Sequence, residues 1–153
     1  MAFEKLLEEY EARRQRALGG GGAGKYARRT KAGMLNARER IAKLVDEGSF
    51  VESGLFGSSA VYPEQEAETQ TDGKLAGFAR IDKRDVCIVV NDFTVKGAST
   101  SATNSKKVGH MKRTATERGM PLVIVGESTG ARLPDAMGSR GMGLLLGNDN
   151  TQF

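Results

Sequence analysis

Residues 121–143, PLVIVGESTGARLPDAMGSRGMG, join a β-branched run to a Gly/Ser/Thr turn and a helix opening. Val123, Ile124 and Val125 predict a short buried strand, and Pro121 suits its first position. Ser128-Thr129-Gly130 predicts a sharp bend, with Gly130 able to take φ > 0 or to let a ligand approach the backbone. A helix opened by Pro134 and Asp135 follows, and its unpaired N–H groups and positive dipole end face the turn. The chemistry that suits such a place is capture of an anion, a phosphate or a developing oxyanion by backbone amides. It needs no side-chain nucleophile.

The side-chain inventory agrees with a backbone site. The 153 residues hold one Cys, one His and no Trp. Cys87 lies in the apolar run DVCIVVN and is predicted to be core. His110 lies in a helical pattern with Val108, Met111 and Ala115 on the apolar side, which leaves it on a solvent-facing side. No Cys/His cluster is available to bind a metal, and a single cysteine fits a reducing compartment. No apolar run approaches the roughly 20 residues of a membrane span. The charged N-terminus lacks the apolar core of a secretory signal, so a cytoplasmic protein is expected.

Net charge is +4, unevenly spread: residues 1–43 carry +6, residues 44–92 carry −6 and residues 93–153 carry +4. A basic arm can bind nucleic acid. Here no aromatic platform or zinc module accompanies it, and phosphates on a small ligand are the better match for scattered Lys and Arg.

The elements that must position the turn can be read along the chain. Phe3, Leu6, Leu7 and Tyr10 recur at helical spacing, predicting an amphipathic helix over 2–18. Residues 19–24, GGGGAG, read as a flexible break rather than a phosphate loop, since no strand precedes them and no Lys-Ser/Thr ends them. A second helix is predicted over 36–47, capped by Asn36 with Glu39 and ended by Gly48. Residues 58–72 are polar and acidic and read as a surface loop. Strands over 74–81 and 86–91 form a hairpin through the turn 82–85. A loop, a helix to about Arg118 and the strand 122–125 complete a βαβ unit with an expected right-handed crossover. The loops 92–101 and 127–133 then converge at the carboxyl edge of the sheet, where open α/β folds hold ligands.

Three stretches in order, GMLNARERIAKLVDEGSFVESG, DGKLAGFARIDKRDVCIVVNDFTVKGAST and ESTGARLPDAMG, resemble the carboxyltransferase subunits of biotin-dependent acyl-CoA carboxylases. The resemblance runs over the whole chain in one register. It implies an α/β fold of crotonase-like ββα superhelix type, incomplete in this length and preceded by N-terminal helices. It implies transfer of a carboxyl group from carboxybiotin to the α-carbon of an acyl-CoA, with the thioester enolate held by backbone N–H groups. Biotin, on a partner carrier protein, would itself take the α-proton once relieved of its carboxylate. A biotin carboxyl carrier, a biotin carboxylase and a homo-oligomeric assembly are the implied partners. A biotin-dependent acyl-CoA decarboxylase and a non-catalytic CoA-binding or assembly module are the alternatives.

Carried over residue by residue, the family's Gly-Ala-Arg element falls on Gly130, Ala131 and Arg132. Gly130 and Ala131 become candidate oxyanion amides, against a tight turn with no ligand. The family's DFTV motif falls on Asp92 to Val95, continuing with Gly97, Ala98 and Ser99, where Ala98 replaces a glycine. Arg132 either contacts ligand or pairs internally with Asp92 or Glu127. Arg38 and Arg40 either reach CoA phosphates or form a basic helix face. Leu133-Pro134-Asp135-Ala136 departs from the family's usual continuation, and Pro134 removes a donor at the helix mouth. The organisation expected is a helical arm with a Gly-rich linker over 1–32 and a partial acyl-CoA-binding domain over 33–153. The run Leu144-Leu145-Leu146 is expected to be exposed apolar surface, and the ending at Phe153 reads as that of an N-terminal fragment.

Overall fold

The computed structural model describes residues 2–137, and the run Leu144–Leu146 and the ending at Phe153 lie outside them. Three helices come first: α1 (Ala2–Leu18), α2 (Ala23–Lys31) and α3 (Ala37–Leu44). A sheet follows, from β1 (Val51–Ser53), β2 (Lys74–Ile81) and β3 (Arg84–Asn91), then helix α4 (Ala102–Arg118), strand β4 (Leu122–Val125) and the single turn α5 (Leu133–Ala136). Strand order is β1-β2-β3-β4, antiparallel except for the parallel β3–β4 pair.

Each helix boundary has a local cause. Asn36 and Glu39 form the expected reciprocal capping box on α3. Ser101 and Asn104 form an equivalent box on α4, and Gly119 ends α4 with a left-handed φ of 62°. The α3 helix stops at Leu44, short of the expected 47, because Val45 turns extended. The β2–β3 turn is also tighter than expected. Asp82 and Lys83 alone make it, at φ 49° and 65°, and β3 starts at Arg84. Two positive φ values give the type I′ geometry whose twist matches a hairpin. The Asp46 carboxylate accepts both turn amides, at 3.0 Å from Asp82 and 2.8 Å from Lys83.

Alternation along β3 supplies two cores. Ile88 and Val90 pack with Leu75, Ala79, Ala37 and Ile41 beneath α3. Cys87 and Val89 pack with Ala76, Met111 and Ala115 beneath α4. The sheet therefore lies between two helical layers, and Cys87 is fully buried, its thiol pushed up by burial. His110 is exposed on α4, as its spacing predicts.

Two segments differ from expectation. The glycine run is no flexible break: Gly20 and Gly21 pack against Asp92 and Thr94, and α2 begins at Ala23. A Cβ on Gly21 would stand 2.2 Å from the Thr94 carbonyl oxygen, so only glycine permits this approach. Residues 58–72 are likewise no simple surface loop. They form two 3₁₀ turns, Pro63–Glu68 and Gln70–Gly73, with Thr69, Thr71 and Asp72 buried. The reason is polar satisfaction from a distance, which a local polarity reading does not register.

Candidate functional site

Both loops of interest leave the carboxyl ends of the parallel strands β3 and β4, as expected. Asp92 anchors the first. Its Oδ1 accepts the Thr94 amide at 3.0 Å and the Thr94 hydroxyl at 2.6 Å, while Oδ2 accepts the Tyr26 hydroxyl at 2.8 Å. Thr94 Oγ1 in turn accepts the Gly21 amide at 3.1 Å, and Lys25 Nζ donates to the Thr94 carbonyl at 3.0 Å. Burial and the Asp92 charge push the Tyr26 phenol well above its ordinary range, so it stays a donor. Thus α2 is fastened to the loop by polar contacts.

After Val95 the chain makes a left-handed turn: Lys96, Gly97 and Ala98 have φ of 47°, 62° and 50°. Thr71, Asp72 and Gly73, at 52°, 48° and 69°, make a second one. The two pack together, with the ideal Cβ of Gly73 only 2.9 Å from the Val95 carbonyl oxygen. Left-handed backbone costs a non-glycine residue roughly 1–2 kcal/mol. Ala98, where the family motif has glycine, keeps this φ while fully buried. Its carbonyl accepts from Lys74 Nζ at 3.3 Å and from Ser128 Oγ at 2.9 Å.

The second loop zips onto the first. The Thr129 amide donates to the Gly97 carbonyl at 3.0 Å, Thr100 N–H to the Gly130 carbonyl at 2.7 Å and Arg132 N–H to the Thr100 carbonyl at 2.8 Å. Gly97, Ala98, Ser99, Gly130, Ala131 and Arg132 are thereby brought together. Their roles differ. Gly130 takes φ 99°, and no heavy atom lies within 4 Å of its ideal Cβ, so space stands open beside it. Its own amide, however, is directed to Ser128 Oγ at 3.2 Å. The Ala131 amide has no acceptor among the described residues, and Ala131 is exposed. At the helix mouth Pro134 has no N–H and the Asp135 amide bonds to the Arg132 carbonyl at 2.9 Å. The Ala131 amide, like those of Ser128 and Leu133, is therefore without an acceptor at this turn among the described residues.

Arg132 is buried and pairs with neither Asp92 nor Glu127. Its Nη1 meets Asp72 Oδ1 at 2.6 Å and its Nε donates to Ser99 Oγ at 3.2 Å. Glu127 instead receives Arg29 and, at 3.4 Å, Arg40. Arg29 also stacks over Phe93, 5.4 Å from the ring centroid. Arg38 is committed elsewhere, to the Glu52 carboxylate at 2.8 and 3.4 Å and to the Leu18 carbonyl at 3.3 Å. Arg40 stands at the base of the second loop, Nη1 lying 3.2 Å from the ideal Cβ of Gly126, whereas Arg38 hydrogen-bonds to neither loop.

Several supporting residues are not visible to motif reading. Asp72 is the chief one, for its neighbours in sequence are polar and acidic. Asn104 Nδ2 donates to the carbonyls of Asp72 and Ser99, at 2.9 and 2.8 Å. Lys74 Nζ donates to Asn91 Oδ1 at 3.0 Å, and Lys107 Nζ reaches the carbonyls of Thr71, at 2.9 Å, and Lys74. Burial lowers both ammonium groups, Lys107 to about 8. Asp135 is buried and pushed up by that burial, with the Arg132 charge opposing it. No group of three or more metal-ligating side chains occurs among the described residues, nor any helix long and apolar enough to cross a membrane.

The chain matches the Carboxyl transferase domain over residues 28–151. It belongs to the carboxyl transferase domain family. Within that family, the propionyl-CoA carboxylase beta chain of Roseobacter denitrificans is 36% identical over 139 residues, covering 90% of this chain and 27% of the relative. The methylmalonyl-CoA decarboxylase subunit alpha of Veillonella parvula is 34% identical over 120 residues, covering 77% of this chain and 24% of the relative. Among solved structures, transcarboxylase 12S, a hexamer with methylmalonyl-coenzyme A and methylmalonic acid bound, superposes with a TM-score of 0.81 at 31% identity. That match covers 96% of this chain and 28% of the other. The crotonase-like carboxyltransferase fold expected from the motifs is therefore the fold of this carboxyl transferase domain. The chain spans about a quarter of the length of the relatives it matches.

Proposed function

We propose that this chain supplies the acyl-CoA side of a biotin-dependent carboxyltransferase. The reaction moves a carboxyl group from carboxybiotin to the α-carbon of an acyl-CoA of acetyl or propionyl type. One observation carries the reading: two glycine-bearing loops are zipped together so that the Ala131 amide, without an acceptor, stands beside the open space at Gly130. A thioester oxygen placed there gains negative charge as the α-carbon loses its proton, when a fixed N–H donor helps most. Arg40, paired with Glu127 at the base of the second loop, and Arg38, paired with Glu52, are the proposed contacts for the anionic end of the substrate. The propionyl-CoA carboxylase beta chains among the relatives support the substrate class.

Carboxybiotin enters as a second substrate, presented by a carrier protein that a biotin carboxylase charges. A homo-oligomer is proposed on the hexameric relative, and a cytoplasmic setting on the sequence. The CoA-binding part includes α2, because Lys25 and Tyr26 hold the first loop. A decarboxylase running related chemistry toward CO₂ loss is the second reading, favoured by the Veillonella relative. Calorimetry with acetyl-CoA, propionyl-CoA and free CoA tests the proposal. Heat with the acyl-CoAs is expected, and silence from a folded sample removes the reading. In the enzyme assembled with its partner subunits, carboxylation of propionyl-CoA by charged carrier, against transfer of the methylmalonyl-CoA carboxyl group to biotin, separates the two directions.

A further inference from the structure

Asp72 has no solvent exposure and sits at a left-handed φ of 48° that aspartate adopts at a cost. Its three oxygens each bind a different residue. Oδ1 accepts Arg132 Nη1 at 2.6 Å, Oδ2 accepts the Ser101 hydroxyl, and the main-chain carbonyl accepts Asn104 Nδ2 at 2.9 Å. Arg132 directly follows Ala131, and Ser101 both ends the first glycine loop and caps α4. A single carboxylate thus grips the last residue of each loop, from a segment that belongs to neither. Lys107 holds the carbonyl of Thr71 next door, at 2.9 Å. A strained backbone that is fastened on three sides is the pattern expected where geometry is maintained for use.

We propose that Asp72 is the positioning residue of the site: its carboxylate sets the spacing of the two glycine loops and so the aim of the Ala131 amide. It touches no reacting atom. This inference rests on the acyl-CoA reading above, but its first test does not. Asp72→Asn removes the charge and leaves Arg132 buried without its counter-ion, which can unfold the chain. The double variant D72N/R132Q removes both charges, and the R132Q single variant controls for the Arg132 bond to Ser99 that is lost with it.

Amide hydrogen exchange on the ¹⁵N-labelled chain is read at Thr100, Thr129 and residue 132, whose N–H groups join the loops, with Ile88 and Val90 of β3 as internal controls. In the double variant the three loop amides should exchange at least tenfold faster while the β3 amides hold their rates. Unchanged loop amides overturn the proposal. So does equal loss at loops and β3, or failure of the double variant to fold, since Asp72 is then core structure rather than a positioner. Calorimetry with propionyl-CoA on the same samples should show affinity at least tenfold weaker. If the unaltered chain gives no heat, the acyl-CoA reading fails and the exchange result still decides the role of Asp72.

Discussion

At Gly130 the backbone takes φ 99° beside open space, so a branched side chain there meets the strain of that φ and fills the space together. In the proposed carboxyltransferase, Gly130→Val should lower turnover on the order of 10²–10³-fold, the scale of losing one oxyanion donor, because it closes the space beside the Ala131 amide. Cys87→Ala and His110→Ala should stay within about tenfold, because one is core and the other faces solvent. A dead His110→Ala enzyme with an intact circular dichroism spectrum would contradict a backbone-only mechanism. Lys107 gives a pH-dependent counterpart. Its ammonium titrates near 8 in the fold against a usual 10.5, so between those values the unfolded chain binds more protons. Lys107 should therefore add stability as pH climbs through that window, with buried Lys74 in the same direction and the raised Cys87 thiol and Tyr26 phenol opposing them. Comparing denaturant midpoints of the unaltered chain and Lys107→Met on either side of pH 8 isolates the Lys107 contribution, which the variant should lose.

Elements differ in what holds them, and that decides which of them a sequence reveals. The strands and α4 are written in β-branched runs and helical spacing, and the α3 cap in Asn36 with Glu39, so their positions come through within a few residues. Removing that cap with Asn36→Ala should cost about 1 kcal/mol in chemical denaturation. Helix α2, AGKYARRTK, contains no buried residue. It is held by Tyr26 on Asp92, Lys25 on the Thr94 carbonyl and Arg29 on Glu127, partners 66, 69 and 98 positions away. No periodicity records such contacts. Asp72 escapes for the same reason, since an acid among acids looks solvated until Arg132, 60 positions on, supplies its counter-charge. The glycine run can be tested by a paired substitution. Gly21→Ala puts a Cβ 2.2 Å from the Thr94 carbonyl oxygen and should destabilise by about 1–3 kcal/mol. Gly24→Ala, with nothing within 4 Å and a place inside α2, should stabilise by about 0.5–1 kcal/mol. Equal responses in urea unfolding would show that the run is loose after all.

At the scale of the whole molecule, apolar surface is left uncovered by the described residues. Phe3, Leu6, Leu7 and Tyr10 form a stripe at least half exposed on α1, and Ile124 is 53% exposed on β4, at the edge of the sheet. Such a stripe and an open strand edge favour association. The chain by itself should therefore scatter light as an oligomer, and it should not decarboxylate malonyl- or methylmalonyl-CoA with free biotin, because biotin needs a second pocket facing the thioester at reacting distance. Sustained biotin-dependent turnover by a monodisperse monomer would sink that expectation. The span of the clamp contacts has a temporal consequence as well. The β2–β3 hairpin closes across two residues and draws at its turn on Asp46, already synthesised by then, whereas the Asp72–Arg132 pair must close 60 residues of chain. Loop-closure entropy and high sequence separation both slow such contacts. As the chain is synthesised, the hairpin can form early, while the two glycine loops stay unfixed until residue 132 has emerged, so a nascent chain acquires its hairpin before it acquires its candidate site.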